Sequence, residues 1–144
     1  MSFTGLTEFD NAVHKANVWL KDVMELTRWE DRHRAYFALR TVLHAVRDHL
    51  PVEIVVSLGA QLPTLVRGFY YEGWRPAGKP FRERKRETFL QNITERFDDP
   101  SVDSEEIVRA VMRVLNKHLS AGQLDGVKHC LPAELRALWP SNGF

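Results

Sequence analysis

VLHAVRDHLPVEIVVSLGAQLPTLVRGFY, Val42–Tyr70, returns 69 residues later as VMRVLNKHLSAGQLDGVKHCLPAELRALW, Val111–Trp139. The two stretches align without a gap. Six of the 29 pairs are identical: Val42/Val111, His49/His118, Leu50/Leu119, Leu62/Leu131, Pro63/Pro132 and Arg67/Arg136. Apolar residues meet apolar residues at Leu43/Met112, Ala45/Val114, Val46/Leu115, Val55/Leu124, Leu58/Val127, Val66/Leu135, Phe69/Leu138 and Tyr70/Trp139. A repeat of this length predicts one packed helical unit used twice. The expected fold is all-α, a tandem duplication of a four-helix unit (two long, two short helices). The units pack as one compact helical bundle with pseudo-twofold symmetry. The expected organisation is a single domain, 1–144, made of helical repeats 8–71 and 82–139 joined by a linker, 72–81.

Outward from this core the helical period continues. Phe9, Val13, Ala16, Leu20 and Val23 make one stripe of a first helix, from about Thr7 to Leu26 with Thr7 as its N-cap. Ala35, Leu39, Val42, Val46 and Leu50 line a second, from about Glu30 to His49. Pro51 and Pro63 suit the first turns of two short helices. The Ile- and Val-rich run Glu53–Leu58 has strand character, but its counterpart Gly122–Val127 does not, so both read as helix. EGWRPAGKP, Glu72–Pro80, cannot be helical throughout. A fifth helix is expected from about Phe81 to Phe97. Asp103 with Glu106, and Ser120 with Gln123, have capping-box spacing and open the sixth and seventh. Pro132 opens an eighth, expected to end at Pro140.

A chain of 144 residues buries enough surface to fold without a disulfide or metal. The net charge of +1 is evenly spread, which argues against a dedicated nucleic-acid binder. The single cysteine, Cys130, leaves no intramolecular disulfide and fits a reducing compartment. No secretory signal or membrane-spanning run is visible, so the expected location is cytoplasmic.

The sequence holds no catalytic motif. Six histidines include no HExxH, and no paired CxxC is present. His44 and Asp48 could face one cation, but two ligands do not make a site. His49 and His118 are expected to bond carbonyls at helix C-termini, and Arg67 and Arg136 to cap helices or bridge them. Cys130 reads as an ordinary helix-end residue. No cofactor and no metal are expected.

Two segments stand apart. GFYYEGWRP, Gly68–Pro76, has the aromatic and Arg content of a binding hot spot. Phe69 and Tyr70 read as core through their partners Leu138 and Trp139. Tyr71, Trp74 and Arg75 remain as surface candidates, unless Trp74 folds back over the joint between repeats. KPFRERKR, Lys79–Arg86, carries five bases, Lys79, Arg82, Arg84, Lys85 and Arg86, against one acid. It reads either as a docking patch for an anion or as the solvated first turn of the fifth helix, where bases sit poorly against the dipole.

FDNAVHKANVWLKDV, EDRHRAYFALRTVLHAVRDHLPVE, GAQLPTLVRGFYYEGWRP and LPAELRALWP together resemble a bacterial family catalogued as domain of unknown function 2267. The likeness runs from about Phe9 to Pro140, and QLPTLVRGFYYEGWRP is its most specific part. It implies an all-helical bacterial protein and brings no activity or catalytic residue with it. The function expected is a non-enzymatic protein–protein interaction or scaffolding module, binding a protein partner or itself. The alternatives are a small-molecule or peptide sensor using the groove between repeats, and nucleic-acid binding through 79–86.

Overall fold

The computed structural model describes residues 2–141, so both ends of the expected 1–144 domain, Met1 and 142–144, lie outside the described residues. It is all-helical: α1 (Thr7–Thr27), α2 (Arg32–Arg47), α3 (Val52–Gln61), α4 (Thr64–Tyr71), α5 (Arg86–Phe97), α6 (Ser104–His118), α7 (Ala121–Cys130) and α8 (Ala133–Arg136). Among the described residues there is no strand, and no helix is long and apolar enough to cross a membrane.

Two helices form the centre. On α2, Ala35, Ala38, Leu39, Val42, Leu43 and Val46 are wholly buried, and on α6 so are Val108, Val111, Val114 and Leu115. These faces pack on each other, α1 lies against α2 and α6, and α5 against the same pair from its own half. The short helices α3 and α7 meet, with Gln123 donating to Gln61 across the contact. Each fully buried Leu or Val on such a face contributes roughly 1.5–3 kcal/mol relative to exposure.

Helix ends follow local chemistry. Asp31 caps α2, its carboxylate accepting from His33 N–H at 2.9 Å and Arg34 N–H at 3.3 Å, which moves the start from Glu30 to Arg32. Asp103 accepts from Glu106 N–H at 3.1 Å. Ser120 and Gln123 make the reciprocal capping box expected of them, at 3.1 and 2.8 Å. Pro51, Pro63 and Pro132 each stand one residue earlier than expected, as extended N-caps with ψ of 155°, 156° and 150°. Gly73 and Gly78 take φ of +72° and +75° in the linker, a region that only glycine enters freely.

Four expectations need correction. Thr7 does not cap α1; Leu6 holds that position, and upstream Thr4 binds the Asp10 carboxylate through N–H (3.1 Å) and hydroxyl (2.6 Å). The α1 stripe is only partly used, since Phe9 is 60% exposed while Val23 is fully buried. The fifth helix starts at Arg86, not Phe81. Phe81 N–H is taken by the Asp48 carbonyl at 2.8 Å, and the Glu83 side chain accepts from Lys85 N–H at 2.7 Å, so residues 81–85 are irregular. The last helix stops at Arg136, and 137–139 form a turn.

Candidate functional site

Arg67 and Arg136 shape the two Leu-Pro corners, on one of which the site is built. Arg67 Nε donates to the Gly59 carbonyl at 2.8 Å, and its Nη2 donates to Ala60 at 3.3 Å and Leu62 at 2.9 Å. Arg136 repeats this one corner on: Nε to Lys128 at 2.8 Å, Nη2 to His129 at 3.1 Å and Leu131 at 2.8 Å. Every partner is shifted by 69 residues. Each Arg reaches back from its Leu-Pro corner to the carbonyls left open at the end of the preceding helix, as expected of a cap. A carbonyl does not cancel a guanidinium charge, so both corners stay cationic.

At the α7–α8 corner this matters. An open groove of about 1080 Å³ runs between that corner and the linker. The α7–α8 wall is Cys130, Leu131, Pro132, Ala133 and Arg136; the linker wall is Gly78, Lys79, Pro80, Phe81, Arg82 and Arg84. His49, just beyond the end of α2, completes the lining. Lys79, Arg82, Arg84 and Arg136 place four positive charges on it, and among the described residues no carboxylate lines it. Two acids next to lining residues in the chain are turned to backbone: Glu83 accepts from Lys85 N–H and Glu134 from Arg86 N–H. The Lys79 ammonium rests 4.5 Å above the Phe81 ring, which is 48% exposed.

His49 is 7% exposed. Its Nδ1–H donates to the Ala45 carbonyl at 2.6 Å, the cap role expected of it. The ring meets Phe81 at 5.7 Å and Phe89 at 5.4 Å, both edge-on. Its Nε2 is buried with no hydrogen-bond partner. Such an atom costs about 1–3 kcal/mol of lost hydration, which a ligand group could restore.

The eight surface candidates separate. Tyr71 and Trp74 are half-buried. The Tyr71 ring lies across Gly59 of α3, with Tyr70 at 4.9 Å on one side and Trp74 at 5.7 Å on the other. Trp74 Nε1 is buried without a partner. Arg75 is exposed, away from the groove lining. Lys79, Arg82 and Arg84 are brought together on one wall. Lys85 is exposed at the N-cap of α5. Arg86 is paired with Glu105, whose carboxyl the Arg86 and Arg109 hydrogen bonds hold below the usual range.

The other singled-out residues are structural. Tyr70 is fully buried, and its hydroxyl donates to the Val55 carbonyl at 2.7 Å; burial pushes that phenol well above the usual range. His44 Nε2–H donates to the Phe69 carbonyl at 2.6 Å, while Arg47 holds Asp48 at 2.9 Å, so the two do not share a cation. Among the described residues no group of three or more His, Cys, Asp or Glu could hold a metal. His118 departs from its expected role. Its Nε2 pairs with buried Asp22 of α1 at 2.7 Å, and its ring stacks on Trp19 at 4.7 Å. Leu119 N–H still bonds the Leu115 carbonyl, so α6 closes without help from the imidazole.

Sequence reasoning found the linker wall and missed the other one. Arg136, Cys130 and His49 each had a sufficient structural explanation, and nothing in their spacing brings them to Lys79–Arg84. That the Arg136 guanidinium is met by carbonyl oxygens shows in the structure and leaves no mark in the sequence.

No curated protein matches the chain. A family model matches residues 16–138, and the chain belongs to that family, described as Uncharacterized conserved protein (DUF2267).

Proposed function

We propose that this protein is a non-enzymatic interaction module that takes an acidic segment of a partner protein into the groove between the linker and the α7–α8 corner. One observation carries the reading: among the described residues four cations line that groove and no acid does. The shape favours a peptide over a duplex. Four positive charges converge on a concave groove with Phe81, Leu131 and Pro132 on its walls, on a chain of net charge +1. A nucleic-acid surface would extend such charge along a broad face. The reading takes the two halves as copies of one unit, supported by the matched Arg67 and Arg136 caps. It assigns function to the linker, which has no counterpart in the repeat.

The test is titration of an Asp/Glu-rich peptide containing one aromatic residue, at low and at high salt, beside its Asn/Gln version. The acidic peptide should bind at low salt and weaken as salt rises, because open charges are screened over roughly 10 Å at 0.1 M. Arg82→Gln with Arg84→Gln should weaken it about fivefold or more. Equal binding of the two peptides would overturn the reading. Tighter binding of a DNA duplex than of the acidic peptide would transfer the groove to nucleic acid.

A further inference from the structure

We propose that Cys130 is a thiol-exchange site, forming a mixed disulfide with an anionic low-molecular-weight disulfide of the glutathione type and thereby closing the groove to its partner. The proposal rests on the reading of the groove as an anion site. Cys130 is the only cysteine of the chain, is free, and is partly exposed on the groove wall. It shares that lining with Lys79, Arg82, Arg84 and Arg136. Independently of the thiol, the same groove holds His49, 93% buried by its 7% exposure, with Nε2 unpartnered. With its N–H on Nδ1 committed to Ala45, a neutral His49 offers Nε2 as an acceptor. A peptide-like thiol carries amide N–H groups of the kind that such an acceptor takes.

The step balances without an outside oxidant. The Cys130 thiolate attacks one sulfur of the small disulfide, the Cys130–S bond forms, the original S–S bond breaks, and one small thiolate leaves. The Cys130 sulfur is oxidised, and one sulfur of the small disulfide is reduced. The cations raise the local concentration of a disulfide bearing carboxylates and stabilise the negative charge spread over the three sulfurs. Excess small thiol reverses the step by the same route. Because the bound adduct carries carboxylates, it occupies the positions that the acidic partner segment would use.

Intact-protein mass spectrometry tests this with three disulfides of different charge: glutathione disulfide, hydroxyethyl disulfide and cystamine. Each rate is divided by the rate for the same chain in denaturant. The anionic reagent should be favoured over the neutral one by about tenfold, and the cationic one disfavoured. Arg82→Gln with Arg84→Gln, and high salt, should flatten that order. A charge order equal to that of the denatured chain would overturn the proposal, as would a thiol that reacts only when the chain is unfolded. Cys130→Ser separates the two readings. If it binds the acidic peptide while the wild type shows no charge order, only the exchange site is lost. If neither protein binds the peptide, the groove reading fails first.

Discussion

Arg136→Met and Arg67→Met form a matched pair in which one position serves as the control for the other. Each change removes a guanidinium that donates to three carbonyls at the end of a short helix, at distances that agree within about 0.2 Å between corners. A charge-assisted hydrogen bond is worth roughly 1.5–3 kcal/mol when buried. These carbonyls sit near the surface and take up water when the Arg leaves, and Met keeps most of the aliphatic stem. The expected loss is therefore about 1–2 kcal/mol for either variant, which lowers Tm by about 2–8 °C in a domain of this size. Binding should divide the two. Only Arg136 lines the cationic groove, and removing one of its four charges should weaken an acidic peptide about two- to fivefold at low salt. Thermal melts and peptide titration below each variant's melting range give both numbers. Loss of binding in Arg67→Met equal to that in Arg136→Met would mean that affinity follows stability rather than groove charge. An unchanged Tm in both would refute the capping argument itself.

Two further outcomes are expected. Gly59→Ala would set a Cβ 2.7–2.8 Å from Tyr71 Cζ and Cε2, so it should destabilise by about 1–2 kcal/mol, whereas in a Tyr71→Ala background it should stabilise by about 1 kcal/mol through helix propensity; denaturant melts showing the same sign in both backgrounds would refute the contact. Burial, reinforced by Arg47, Arg40 and Arg96 and opposed by the Phe69 carbonyl, holds the His44 imidazole below its ordinary 6.5. As pH falls beneath that value the unfolded chain takes the proton first, so stability should drop through this window, and His44→Gln should show a shallower slope in denaturant titrations at several pH values.

Most of the fold was legible because several kinds of local signal agreed with a long-range one. The apolar period of α2 and α6, the Asp103 and Ser120 caps and the Leu-Pro corners all point to the same elements. The misplaced boundaries have local causes that composition hides. Residues 81–85 resemble a helix start in polarity, yet the Phe81 N–H is claimed by Asp48, 33 positions earlier in the chain. Trp74 shows the same limit. Its neighbours read as an exposed hot spot, but Gly59 leaves a flat place on α3 where Tyr71 lies and against which Trp74 leans. The alignment sets Gly59 against Lys128, one of several visible mismatches between the two corners. Half of the candidate site was legible as a basic run; the other half depends on which distant corner that run covers.

The two Leu-Pro corners show how a structural feature becomes a binding groove. At the first, residues 60–64 and Arg67 line a cavity of about 480 Å³ covered by the start of α1, which contributes Glu8 and Lys15. At the second, residues 130–133 and Arg136 line the larger groove covered by the linker, which contributes Lys79, Arg82 and Arg84. Backbone, proline and capping arginine are the same in both. What differs is the covering segment: at the first corner a balanced Glu8 and Lys15 join Arg67, while at the second every charge added is positive. The corner supplies one cation that gives three hydrogen bonds to carbonyls, none of which neutralises its charge. The covering segment then decides whether that charge is diluted or concentrated. On this argument the linker acts as more than a connection between halves, and the position of its three bases against Arg136 is the feature on which the protein's recognition chemistry turns.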